Sequence, residues 1–389
     1  MQSSEACPAS SKCSTIHAWL PLRDSNWLWF PIGLALISAL WTFAYGYSAF
    51  VMIENQLPEN WYAIWNRWDA IHYNNLAQFG YSGANGDSER HFLIAYFPLF
   101  PSLVHLLHLI TPSYIEAGIA ASNLFCIIGF SYFYLLVKRD FDDLIATSAL
   151  FFTAVFPTAY FFHIGYTESL FFALTTASFY YARREEWALC ACLAFFACLT
   201  RIPGIALIPA LGLEYLHQRR FDWRAIRWDA LWFIFPFFGA ALYLHLNQML
   251  FGDPFKFMEI QSRNFVRSLA WPHTGALREW VGIWSAEPRV RVERHLIQLL
   301  SCIGSLVLLL IGALRLRPSY TLYMGLLWIL VFSYDFWLST PRYVMMMFPM
   351  FIVLALLFRG PLARLSVAVI FLLGYSINCM QFARGWWAH

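Results

Sequence analysis

The sequence predicts an all-α, polytopic membrane protein, and three observations carry the prediction. Hydrophobic residues make up 60% of the 389 and charged residues only 13%, against about 25% charged in soluble domains. Apolar runs recur along the chain, and the first, Asn26–Met52, is long enough to cross a bilayer with some tilt. Basic clusters at Lys138/Arg139, Arg183/Arg184, Arg219–Arg227, Arg315/Arg317 and Arg359/Arg364 fall at alternate turns between those runs, as the positive-inside rule requires of cytoplasmic loops. Aromatic residues reach 19%, which suits interfacial belts and apolar cavities that hold lipid chains. The eight cysteines form no CxxC pair and show no metal-ligand spacing, so they read as small core hydrophobes. Nothing in the chain is expected to bind nucleic acid.

Taken in order, the polar tail 1–26 carries Lys12 and Arg23 and is expected to be cytoplasmic. It is no signal peptide, because the apolar run after it is too long and no small-residue cleavage site stands out. Residues 27–389 are expected to form one transmembrane domain. A first outer loop, 53–113, holds a turn at Gly83–Ser88. Segment 93–111 carries Pro98 and Pro101. It is expected as a re-entrant or juxtamembrane helix, since only one crossing can separate residue 92 from Lys138/Arg139. That crossing is Ile115–Val137. The later spans are Leu144–Pro157, Glu168–Tyr181, Trp187–Thr200, Pro203–His217, Asp229–Phe251, His295–Leu314, Ser319–Leu338, Tyr343–Phe358 and Leu365–Cys379. The total is about 11 spans (roughly 10–13), with a long outer loop at 252–293. Several of these runs are short for a full crossing, which predicts broken or tilted helices lining a cavity. The tail Arg384–His389 fits an interfacial anchor, and no internal repeat is visible.

The stretch Asn66–Tyr81 carries the densest chemistry. Asp69 and His72 lie three residues apart and share a face if the segment is helical. A carboxylate and an imidazole beside a membrane suit acid–base work on a lipid-linked substrate. The plainer reading is an amphipathic interfacial helix, with Trp68, Tyr73 and Tyr81 as its anchoring rings. Arg67 is open between headgroup contact and substrate contact.

Further polar residues collect on the same expected face. The second outer loop adds His163, Tyr166 and Glu168, a third turn adds Arg201, the long loop adds Gln261, Arg263 and Arg267, and a fifth adds Arg342 and Tyr343. Arg201 and Arg342 each sit at a helix end, close to a proline. Each suits bidentate binding of a phosphate or ordinary snorkelling towards headgroups. Glu168 opens an apolar helix, where a carboxylate also favours the helix dipole. His163 reads as a satisfied polar group in a packed loop. A channel calls for charge rings or carbonyl loops, and a secondary transporter for repeats and polar groups at mid-bilayer. Here the spans are nearly free of charge at their centres. This favours chemistry at an interface, namely transfer of a sugar from a polyprenyl-phosphate carrier; the alternative is a transporter or flippase for a lipid-linked sugar.

Arg67-Trp-Asp-Ala-Ile-His-Tyr73, with Ala77 and Gly80-Tyr81, resembles the first-loop signature of the GPI mannosyltransferase 2 family, which includes bacterial members. Phe97-Pro-Leu-Phe-Pro101, Phe156-Pro157 with Tyr166-Thr-Glu-Ser-Leu-Phe171, Thr200-Arg-Ile-Pro-Gly204, Gly252-Asp-Pro254 and Pro341-Arg-Tyr343 resemble its later motifs in order. The resemblance implies a GT-C fold and an inverting hexosyltransferase. The donor would be a dolichol- or polyprenyl-phosphate mannose and the acceptor a lipid-linked or glycolipid hydroxyl. Asp69 would be the general base, with His72 orienting it or binding the sugar. By their charge and not by the resemblance, Arg201 and Arg342 are expected to meet the donor phosphate, while Arg67, His163, Tyr166, Glu168, Gln261 and Tyr343 are expected to contact substrate. The chain is short for a eukaryotic member, so a bacterial inner membrane is the expected location, with the site on the extracytoplasmic face. No Asp-x-Asp pair appears in the expected outer loops, so the sequence requires no metal or other cofactor, and a lipid-phosphate leaving group does not demand one. Some enzymes of the GPI pathway work with a partner subunit, and that possibility stays open here.

Overall fold

The computed structural model describes residues 28–83 and 91–388. The expected cytoplasmic tail and nearly all of the Gly83–Ser88 turn lie outside the described residues. Within them the chain is helical, with no strand beyond an isolated antiparallel bridge between Leu269 and Tyr334.

Helix α1 (Trp29–Glu54) is followed by a short outer-loop helix, α2 (Asp69–Phe79), and by α3 (Leu99–His108). The segment 93–111 therefore holds one short helix. It seats Phe100 and Val104 in the core, and His105 bonds the Ala77 carbonyl of α2 at 2.8 Å. Helix α4 (Tyr114–Asp140) starts at Ser113, whose hydroxyl accepts the Glu116 amide and donates to the Glu116 carboxylate. Asp142 caps α5 (Asp143–Ala154) in the same way through the Ile145 amide. Then come α6 (Glu168–Ala182), α7 (Trp187–Cys198), α8 (Leu207–Gln218) and α9 (Phe235–Phe251). The segment 252–293 contains α10 (Lys256–Asn264) and α11 (Pro272–Ser285). A π-helical turn at Arg291–Leu296 leads into α12 (Ile297–Arg315). The chain closes with α13 (Pro318–Phe332), α14 (Thr340–Val344), α15 (Pro349–Leu357) and α16 (Pro361–Ala383).

Five stretches are long and apolar enough to cross a membrane: Trp29–Glu54, Tyr114–Asp140, Trp228–Phe251, Arg291–Arg315 and Pro361–Ala383. The other expected spans are shorter helices of 9 to 15 residues. At about 1.5 Å per residue, twelve residues cover about 18 Å of a hydrocarbon core about 30 Å thick. Buried irregular backbone continues them: residues 159–167 between α5 and α6 are fully covered by protein, the setting in which non-helical backbone is tolerated at depth. The expected span Tyr343–Phe358 is likewise broken, between α14 and α15.

Helix α4 is central, with 56% of its apolar stretch buried, whereas the other four long stretches bury 17–28%. Those four turn residues such as Leu36, Leu40, Phe238, Leu300, Leu310 and Leu365 outward. Close approach in the centre depends on small residues. On α4, a β-carbon at Gly129 would stand 3.1 Å from the Ala173 amide nitrogen of α6.

The basic clusters are not simply open to headgroups. Glu214 of α8 is fully buried and accepts from Arg317 at 2.9 Å, Ser319 at 2.5 Å and Gln218 at 2.8 Å, while Arg183 approaches at 3.4 Å. Arg183 also pairs with Asp140, which accepts from Tyr320. One buried ion-pair network thus ties together the ends of α4, α6, α8 and α13, opposite to the ends that carry Glu168 and Arg201.

Gly204 sits where the turn before α8 crosses the end of α7. A β-carbon there would lie 2.5 Å from the Ala197 carbonyl oxygen, and backbone cannot step aside. Gly204→Ala is expected to destabilise the purified protein by about 1–3 kcal/mol, as overpacking does. Thermal unfolding in detergent measures this.

Candidate functional site

Four charged side chains from four separate segments meet at one end of the bundle. Asp69 opens α2, Glu168 opens α6, Arg201 lies in the extended link after α7, and Arg342 lies in α14. Carboxylates at the first turns of α2 and α6 suit the positive ends of those helices. Arg342 Nη1 donates to Asp69 Oδ2 at 2.6 Å, and Arg342 Nε donates to Glu168 Oε1. Arg201 Nη1 donates to the same Glu168 oxygen and to Thr167 Oγ1 at 3.2 Å. Arg342 packs over the rings of Phe161 and Tyr166, and Arg201 over Tyr343. The result is a chain of alternating charge, Asp69–Arg342–Glu168–Arg201.

Only one member is open. Glu168 is fully buried and the two arginines nearly so, but 27% of the Asp69 side chain is exposed. Its second oxygen, Oδ1, accepts from the Tyr96 hydroxyl at 3.2 Å. Burial pushes the Asp69 carboxyl up, but Arg342 above all, helped by His72 and Arg201, outweighs it and holds the group below its ordinary value. Burial and the neighbouring Asp69 charge raise the Tyr96 phenol well above its ordinary value, so it remains a hydrogen-bond donor.

Asp69 faces a cavity of about 730 Å³, within the usual range for a small-molecule site. His72, Tyr166, Arg201, Gln261, Arg342 and Tyr343 also line it, so seven of the expected site residues come together. Aromatic rings form much of its wall, among them Phe92, Phe161, Phe265, Phe336 and Trp387. The backbone around it is strained. Trp68, Val266 and Ser339 all line the cavity and all have positive φ (54°, 52° and 56°). Such conformations cost about 1–3 kcal/mol each and gather at functional sites. Trp68 immediately precedes Asp69, and Ser339 lies three residues before Arg342.

Three expected contacts fall elsewhere. Arg67 donates to the Ile64 carbonyl and the Ala383 carbonyl, both at 3.0 Å, and so joins the start of α2 to the end of α16. His163 is fully buried between Asn123 and Ser38, each 2.9 Å from a ring nitrogen. It is a satisfied interior group. Glu168 is not at the cavity wall and acts on the two arginines behind it. Arg201 and Arg342, expected to meet a donor phosphate, both line the cavity and are already paired with carboxylates. Arg342 and Tyr96 hold the two Asp69 oxygens. His72 lies edge-on to Phe92 with centroids 4.6 Å apart, and 5.2 Å from the Tyr96 ring.

Sequence reasoning missed Tyr96, Glu293 and Arg294 as site residues and placed Arg267 on the outer face without a role, yet all four line the cavity. Tyr96 directly precedes the Phe97–Pro101 motif and can be read with it. Nothing in the spacing of the long loop separates Arg267 from the exposed Arg263. Among the described residues, no three His, Cys, Asp or Glu side chains gather as a metal-ligand set.

Neither protein-family models nor curated proteins give a match to this chain.

Proposed function

We propose that this chain is an inverting membrane glycosyltransferase of the GT-C type, with about eleven membrane segments, acting on the extracytoplasmic face. Its donor is a polyprenyl-phosphate sugar, mannose by resemblance, and its acceptor is a hydroxyl of a lipid-linked or glycolipid molecule. The observation that carries this reading is Asp69: an ionised carboxylate, fixed at both oxygens, partly open to a ring-lined cavity rich in guanidinium groups.

Asp69 serves as general base. The acceptor oxygen attacks the anomeric carbon from the face opposite the phosphate and gives its proton to Asp69. The carbon–oxygen bond to the phosphate breaks, and the phosphate leaves with the electron pair. Arginines lining the cavity stabilise the charge that builds on the leaving oxygen, in a site where rings limit water. Glu168 keeps Arg342 and Arg201 in position.

The pH dependence of transfer tests this assignment. A base acts when deprotonated, so activity falls as pH drops through its pKa. In the wild type that limb should lie below about 3.9, the unperturbed carboxyl value. Arg342→Gln removes the charge that holds Asp69 down and leaves its burial in place. The acid limb of kcat/KM should therefore move up. An unmoved limb in an active Arg342→Gln protein would remove Asp69 from the base role.

A further inference from the structure

Arg267 is the one cavity guanidinium with nine-tenths of its surface covered and no anion beside it among the described residues. It is 9% exposed, its Nε has no hydrogen-bond partner, and no carboxylate pairs with it. Its plane packs over Tyr334 at 4.2 Å and lies 5.9 Å from the Tyr343 ring. Arg201 and Arg342, in contrast, share Glu168, and Arg342 also holds Asp69.

The backbone that carries Arg267 is firmly fixed. Ser268 and Ala270 pair with 333–335 through three bonds: the Ser268 amide to Asp335 Oδ1 at 2.8 Å, the Asp335 amide to the Ser268 carbonyl at 3.0 Å, and the Ala270 amide to the Ser333 carbonyl at 3.1 Å. The preceding residue, Val266, is held at φ 52°, a genuine outlier for a β-branched side chain. A second guanidinium, that of Arg294, lines the same cavity and lies over the Phe336 ring at 5.0 Å without an ion-pair partner among the described residues. A buried, unpaired cation is costly to maintain, so a site of this kind favours an arriving anion. Stacking on tyrosine leaves the edge of a guanidinium plane free for two parallel hydrogen bonds, the geometry that suits a phosphate.

We infer that Arg267, supported by Arg294, receives the phosphate of the polyprenyl-phosphate donor, while Arg201 and Arg342 stay bound to their carboxylates and fix the base. The inference rests on the proposed use of a phosphate-linked lipid and assigns the group that recognises it. It divides the site into a neutral, self-paired half around Asp69 and an anion-seeking half around Arg267.

Binding measured without turnover tests the assignment. Dissociation constants for undecaprenyl monophosphate and for undecaprenol are compared in detergent for the wild type, Arg267→Gln and Arg267→Lys. The wild type should prefer the phosphate. Arg267→Gln should lose about 10- to 100-fold of affinity for the phosphate, the usual size of a charge-assisted bond, with affinity for the alcohol unchanged. Unchanged alcohol binding also establishes that the cavity has folded. Arg267→Lys, which keeps the charge but not the planar fork, should fall between them. If Arg267→Gln binds the alcohol normally and keeps the full preference for phosphate, the assignment to Arg267 is wrong while the transfer reaction still stands. If the wild type has no preference for phosphate over alcohol, the phosphate-lipid donor fails, and this inference fails with it.

Discussion

Asp69→Asn should lower sugar transfer by about a hundred- to ten-thousandfold, the usual worth of general-base assistance. The substitution is nearly isosteric and retains two of the features around it. The amide oxygen can still accept from Arg342, and Arg342 keeps its second partner, Glu168. The loss should therefore appear in kcat, with donor affinity and thermal stability close to the wild type. A protein that unfolds earlier but turns over at a normal rate when folded would show that Asp69 serves the ion-pair chain and not the reaction. Tyr96 gives a useful contrast. It donates to Asp69 at 3.2 Å but is neutral, so it positions the base and takes no proton.

Glu168→Gln should produce the largest loss of stability at the site. The Glu168 carboxylate is fully buried between Arg201 and Arg342, which are 7% and 6% exposed. Removing its charge leaves two guanidinium groups facing each other in the interior, with only Asp69 to answer them. Breaking a buried pair from one side costs about 3–5 kcal/mol. The unfolding temperature should drop sharply, and any remaining folded protein should transfer slowly because Arg342 no longer holds Asp69 in place. The double variant Glu168→Gln/Arg201→Gln removes one of the stranded cations, so it should be more stable than Glu168→Gln alone. That non-additivity is the signature of residues in one network. If the double variant is destabilised by the full sum of the two single effects, Glu168 and Arg201 act independently.

Much of this arrangement is legible in the amino-acid sequence. Apolar runs and alternating basic clusters locate the helices well, because lipid-facing and core-facing sides are both apolar and leave a strong signal. Short runs such as Trp187–Thr200 point to helices too brief to span alone, and the helix at Trp187–Cys198 has 12 residues. Asp69, Arg201 and Arg342 stand out as charges beside prolines, aromatic rings and helix ends. Their pairing does not, since a residue gives no sign of its partner 273 positions away, the separation of Asp69 from Arg342. In the sequence the arginines therefore resemble free phosphate ligands, and Glu168 resembles a substrate contact instead of their shared counter-ion. His163 and Arg67 draw attention because they sit beside true cavity residues in the chain, while their side chains turn into the protein. The buried Glu214 network escapes notice for a related reason. Its arginines match the positive-inside pattern so well that nothing suggests a second, structural role.

Sugar transfer in detergent micelles bears most directly on the proposed activity. The purified chain is supplied with polyprenyl-phospho-[³H]mannose and an extract of membrane lipids, with no second compartment available. If the chain is a transferase, label moves to an acceptor lipid, polyprenyl phosphate appears in equal amount, and both stop in Asp69→Asn. An intact donor after long incubation, together with movement of the same donor between leaflets of sealed vesicles, would contradict transfer and identify a flippase.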